Sequence, residues 1–273
     1  MTKRAKPIRI LSISDTHCGN LTGLTPDRFN PESEDNYKMY CYRRQLYQWF
    51  TSEIKKLGAI DICVANGDLI DGKGTKSGGV EQIYASRPKQ IELAVECLKD
   101  IKAKEYHFAY GTGYHTGPED DWELQIAQEF NAGVDDICTI EPNGLIMKWR
   151  HHISGSQVPA GRATALLRQQ EWDLLWSLDG EYKRADVLVF SHVHYFQSYT
   201  NRYGTAFTHP NLQGMGGSQL GARRMGGIVD YGFLVFDVIS KEEWTWKAYR
   251  LKQTPSVRNG QATRLEGELE QPS

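Results

Sequence analysis

Neither sign of charge dominates this sequence: 32 Lys and Arg stand against 34 Asp and Glu, a formal net charge of −2. That balance excludes a chain-wide basic surface of the kind that holds nucleic acid by bulk electrostatics. Long apolar runs are also missing. The longest, such as residues 186–190, are strand-sized, far short of the ~18–20 residues a membrane span needs. Lys3, Arg4 and Lys6 are followed by an apolar stretch that stops at Asp15, so no signal-peptide core is expected. Cysteine is sparse and odd in number, at positions 18, 41, 63, 97 and 138, with no CxxC pair. A disulfide framework is therefore not expected, and a cytoplasmic, reducing setting is. There is no internal repeat and no linker. What the chain does hold is 40% hydrophobic and 11% aromatic residues over 273 positions, enough for a sizeable core. A single domain over residues 1–252 is expected, followed by a polar, flexible tail at 253–273.

Short apolar runs alternate with amphipathic segments. The run at 8–13 ends abruptly in Ser14-Asp15-Thr16-His17, and a polar, proline-punctuated loop follows to about residue 35. Between 40 and 57, Tyr42, Leu46, Trp49, Phe50, Ile54 and Leu57 fall three and four apart, which predicts one helical stripe ended by Gly58. Tyr37 and Tyr40 are expected just before that helix, as candidates for a substrate wall. The same alternation predicts strands at 60–65, 106–110, 137–140, 145–151 and 186–190, with helices at 88–104, 118–130 and 161–178. Residues 231–238 and 244–251 read as a late antiparallel pair. Strands separated by helices imply right-handed crossovers and a sheet covered on both faces. The strand-rich last third suggests a second sheet packed on the first.

The chemistry-bearing residues cluster where strands stop. Asp15 and His17 follow the first strand, Asp68 and Asp71 the second, His115 the third, His151 and His152 the fifth, and His192 and His194 the sixth. Of the eight histidines, His107 and His209 alone fall outside this pattern. Strand carboxyl ends line one edge of an open α/β sheet, where ligands bind. A single histidine at such a place is usually structural, but Asp-x-His, Gly-Asp-x-x-Asp and His-x-His in succession are a different matter. Mixed imidazole and carboxylate donors without thiolate suit Mn, Zn, Fe, Ni or Co better than a cysteine zinc site or an all-oxygen calcium site. The candidates outnumber the ligands of one ion and fit two ions sharing a carboxylate.

In order and spacing, Asp15-x-His17, Gly67-Asp68-x-x-Asp71, Gly113-Tyr114-His115, His151 or His152, and His192-x-His194 resemble the calcineurin-like metallophosphoesterase family. The resemblance implies a four-layer α/β/β/α sandwich of two mixed sheets with flanking helices and a binuclear centre at the strand ends. It implies Asp15, His17 and His194 on a first metal and Asp68 bridging. His192 and one of the 151/152 pair would hold the second metal, His151 favoured. His115 would contact substrate and serve the leaving oxygen, oriented by Asp71. One motif departs: where the family carries a ligating Asn, this chain has Tyr114. Thr112 or a water then substitutes, or the second metal binds more weakly. Ser191 stands where the family usually has Gly.

The expected activity is hydrolysis of phosphodiesters of nucleotide or nucleic-acid type, nuclease activity included, with phosphomonoesters as a second class. A hydroxide bridging two divalent ions, manganese first, would attack the phosphorus. A short, single-stranded or cyclic nucleotide suits the near-neutral charge. The alternative is a non-catalytic scaffold that keeps the fold with an impaired second metal site. Arg202, Arg223 and Arg224 are candidates to steer a phosphate chain, and Cys18 is expected to be buried filler.

Overall fold

Strand β1 (Ile8–Ile13) shows how the layers arise. Ile10 points to one side and Leu11 to the other, and both are fully buried, so the sheet is covered on both faces. The computed structural model describes residues 6–32, 37–74, 78–117, 121–156, 158–178, 180, 182–215 and 229–252. β2 (Ile62–Asn66), β3 (Glu105–Ala109) and β4 (Val134–Asp135) extend from β1 in parallel. Parallel neighbours need crossovers. These are α1 (Tyr37–Leu57), α2 (Arg87–Ile101), the one-turn α3 (Gly113–Thr116) and α4 (Trp122–Gln128). The stripe expected on α1 packs on the sheet: Phe50 meets Phe233 edge-on, ring centroids 6.1 Å apart, and Leu46, Ile54 and Leu57 are buried with it. Gly58 leaves the helix at φ +74°, a backbone state that favours glycine.

A second sheet is built from the middle of the chain. It comprises β5 (Cys138–Ile140), β6 (Met147–Arg150), β7 (Val187–Phe190), β8 (Gln197–Asn201) and β9 (Gly204–Thr208), in the order β5-β6-β7-β9-β8. α5 (Arg162–Ser177) lies between β6 and β7 in sequence, and its Ala165 and Leu166 pack on Leu188, Phe190 and Ala206. The opposite face, through Met147, Trp149, Val187, Val189 and Phe207, meets Ile10, Val64, Leu234 and Phe236 of the first sheet. Each such fully buried side chain contributes about 1.5–3 kcal/mol. Trp149 Nε1 donates to Ser12 Oγ across this seam at 2.9 Å, so these two buried polar groups satisfy each other. The result is a four-layer α/β/β/α sandwich of two mixed sheets, the fold expected from the motifs.

Three expectations change. The late pair β10 (Tyr231–Val238) and β11 (Trp244–Leu251) does not form the second sheet. It completes the first, in the order β11-β10-β1-β2-β3-β4, because β10 pairs antiparallel with β1. The β8–β9 hairpin was not foreseen. Tyr37 and Tyr40 lie inside α1's first turn, where their rings stack at 6.0 Å, rather than before it. Residues 118–120, Arg223, Arg224 and the tail at 253–273 lie outside the described residues. Among the described residues, no helix is long and apolar enough to cross a membrane.

Candidate metal centre

Apolar strand residues give way to the site within one or two positions, and the backbone turns sharply there. Asp15, His17, Asp68, His192 and His194 all have positive φ, at 51°, 42°, 52°, 72° and 55°. Left-handed backbone costs a non-glycine residue on the order of 1 kcal/mol or more. Five of the nine such residues described are therefore concentrated at a single rim. The turns are held by main-chain bonds between the two loops: Asp15 N donates to Gly67 O at 3.0 Å and His17 N to Asp68 O at 3.1 Å. The second sheet is tied in by Asn66, whose Nδ2 donates to Ser191 Oγ at 2.7 Å. The serine found in place of the family's glycine thus adds a bond across the sheets.

At this rim the side chains form three groups, the first two sharing His17: Asp15, His17 and His194; His17, Asp71 and His115; and Asp68, His151 and His192. His194 Nε2 lies 3.1 Å from Asp15 Oδ1, and His17 Nε2 lies 3.9 Å from the same oxygen. His151 Nε2 is 2.9 Å from Asp68 Oδ2 and 3.8 Å from Asp15 Oδ1, linking the groups. Both ring nitrogens of His17 and Nε2 of His151 are buried without a hydrogen-bond partner. Unpartnered buried donors or acceptors are costly. Here they face carboxylates with a borderline-soft, thiolate-free donor set, which fits a divalent transition-metal cation. His152, by contrast, is exposed and only stacks on His192 at 4.9 Å.

The electrostatics match. Burial alone would raise the Asp15 carboxyl, but the imidazoles of His151 and His194 outweigh it and hold it below the usual carboxylate range. Asp68 is held down likewise, by His151 and His115 against its burial. Burial pushes His17 well below the usual imidazole range and His192 to about 4, so both are neutral, as a metal ligand must be. His151 runs the other way. Burial opposes its charge, yet Asp68 and Asp15 raise it to about 10.

Solved structures align with most of this chain. Wild-type Vps29 complexed with zinc from Entamoeba histolytica is 15% identical over 94% of this chain and 97% of that one, with a TM-score of 0.46. Vps29 of Chaetomium thermophilum is 16% identical over 97% and 96%, at 0.48. A novel archaeal phosphodiesterase is 13% identical over 88% and 99%, at 0.43. At these identities the likeness is one of fold. No family model and no curated protein sequence matches the chain.

Around the three groups, supporting contacts fix orientation. His151 Nδ1 donates to Asn66 O at 2.7 Å, which leaves Nε2 to face the carboxylates. His115 Nδ1 donates to Asp71 O, also at 2.7 Å. Asp71 therefore orients His115 through its main-chain carbonyl rather than its carboxylate, which instead accepts from Asn20 Nδ2 and Gln82 Nε2, each at 2.9 Å. Thr112, not Tyr114, stands beside the Asp68–His151–His192 group. Its N–H and hydroxyl donate to Asp68 Oδ1 at 2.5 Å and Oδ2 at 3.0 Å, and the hydroxyl lies 3.2 Å from His192 Nδ1. Tyr114 is carried by α3, its ring against that of His115. Cys18 is fully buried, its Sγ 4.0 Å from Cys97 Sγ. Arg202 sits in the turn between β8 and β9, at the opposite end of the second sheet from this rim, and steers nothing into it.

Two buried residues were missed. His209 directly follows β9, and its Nε2 lies 2.9 Å from Ser12 O. Finding the hairpin would have put it at a strand end with the others. Glu123, 1% exposed, accepts from Leu69 N at 3.2 Å and Gly111 N at 2.7 Å. Burial, reinforced by the charge of Asp68, pushes its carboxyl up to about 7. In sequence it is one more acid at a helix start, beside Asp121, which caps α4 by accepting from Leu124 N.

Proposed function

We propose that the chain is a metal-dependent phosphoesterase acting on phosphodiesters, short or cyclic nucleotides and single-stranded nucleic acid among them, and on phosphomonoesters. The observation that carries this reading is the convergence of buried, unpartnered imidazole nitrogens on two depressed carboxylates at one strained rim. Asp15, His17 and His194 would hold one divalent cation, His151 and His192 a second, with Asp68 between them. Such cations, manganese first among them, supply positive charge to a phosphoryl group and acidify a water. The chain's own part is orientation and proton traffic. Asp71 O keeps the His115 proton on Nδ1, so Nε2, 4.0 Å from Asp68 Oδ2, is the atom that would hold or give a proton at the leaving oxygen. The five free cysteines suit a reducing, cytoplasmic setting.

Metal content by elemental analysis, read beside turnover of bis-p-nitrophenyl phosphate and p-nitrophenyl phosphate with added Mn²⁺, tests this. Asp68→Ala should lose both metal and turnover. His115→Ala should keep metal and lose about 10²–10⁴ in kcat. A second reading, a scaffold with an impaired second site, is favoured by two observations. A Thr112 hydroxyl, rather than a side-chain amide, stands beside Asp68, and α5 exposes Trp172, Leu175 and Trp176 on its outer face. Near-stoichiometric metal with no turnover of either ester, of nucleotides or of DNA would establish the scaffold reading.

A further inference from the structure

Glu123 is a fully buried carboxylate that touches no candidate ligand, and among the described residues no Lys or Arg pairs with it. Burying an unpaired carboxylate is costly, so its partners define its purpose. They are two backbone N–H groups from different loops: Leu69, which follows Asp68, and Gly111, which precedes Thr112. Asp68 and Thr112 bond each other twice, and Thr112 reaches His192. The side-chain links in this chain lead to the Asp68–His151–His192 group; the main chain of Asp68 and Leu69 also holds the 16–18 loop, and no link leads to His194. It is also the group that lacks the family's Asn.

We propose that Glu123 is a positioning residue for the second cation: it clamps the Leu69 and Gly111 amides so that Asp68 and Thr112 keep the geometry that His151 and His192 need. The inference rests on the two-cation reading above. The carboxylate form is required because two acceptors are used at once. A glutamine offers one acceptor and one NH2 group, so whichever way the amide turns, one of the two N–H groups faces a donor. An aspartate keeps both acceptors on a shorter arm.

The test is Mn²⁺ titration of the full chain by calorimetry, wild type beside Glu123→Gln and Glu123→Asp, with the melting temperature of each metal-free protein. The wild type should take up two ions. In Glu123→Gln the weaker site should lose about 10–100-fold in affinity, the range expected when a ligand's support is removed, while the tighter site, which shares only Asp68 with this group, loses much less. Glu123→Asp should fall between. A role confined to packing would lower the melting temperature and weaken both sites alike, and that result overturns the proposal, as does wild-type affinity at both sites in Glu123→Gln. A wild type that binds no metal overturns the two-cation reading itself and the proposal with it.

Discussion

A glycine packs directly on Asp68, and replacing it reads the geometry of the site. A Cβ added at Gly111 would have Asp68 Cα at 3.0 Å, with Asp68 N and Oδ1 closer still. Non-bonded heavy atoms rest at about 3.5–4.0 Å, so Asp68 would have to retreat by at least ~0.5–1 Å. It is held where it is by Thr112 N at 2.5 Å, while Gly111 N is itself held by Glu123 at 2.7 Å. Overpacking costs about 1–3 kcal/mol, and a strained or lost hydrogen bond to a buried carboxylate about 1.5–3 kcal/mol. The two overlap, so Gly111→Ala is expected to lose about 2–5 kcal/mol, which lowers the melting temperature by roughly 5–15 °C for a domain of this size. Gly113→Ala is the control. It lies two residues away, exposed, with nothing within 4 Å of its added Cβ, and should be neutral or slightly stabilising. Thermal unfolding in EDTA reads the strain, and Mn²⁺ uptake reads the displaced Asp68. A Gly111→Ala protein that melts with the Gly113→Ala control and binds metal like wild type would refute the packing described here.

Two further outcomes follow from the same geometry. His151→Ala should lose about one equivalent of bound metal by elemental analysis, whereas His152→Ala should retain the wild-type content; the reverse would mean the wrong ring faces the carboxylates. His209 gives a pH dependence. Burial lowers it from 6.5 to about 4, with Asp15 and the carbonyls of Ser12 and Pro210 opposing. The folded protein then refuses a proton that the unfolded chain takes up, so this group's contribution to stability falls as pH drops from about 6.5 to about 4 and is constant below that. Over 2.5 pH units, at ~1.36 kcal/mol each, the loss is about 3 kcal/mol. Denaturant unfolding of His209→Gln across that range should show a shallower decline than wild type, and parallel curves would contradict the assignment.

Much of the rim could be read in advance because most of these apolar runs stop sharply just before a metal-capable residue, as β1 does at Ser14-Asp15. The β8–β9 hairpin could not, since Gln197–Asn201 is polar and alternates between half-buried and exposed, leaving no apolar period to detect. His209 stayed hidden with it. Spacing placed Tyr114 at the family's Asn, but α3 begins at Gly113 and winds Tyr114 away, leaving Thr112 beside Asp68. Glu123 gave no signal of its own, because an acid in the first turn of a helix is ordinary. The neighbour of β10 was equally out of reach: local pattern marks a strand, and its partner is chosen by contacts formed from the far end of the chain.

That partnership bears on how the protein is made. β1 leaves the ribosome well before the strand that covers its open edge, pairing Ser12 with Leu234. In that interval an apolar strand waits with unpaired amides, the situation in which nascent chains stick to one another or recruit chaperones. Ribosome-bound chains halted before Tyr231 are expected to stay open to protease at β1, and those extended past Leu251 to become protected. Equal protection of both would mean that the parallel strands alone can shelter that edge.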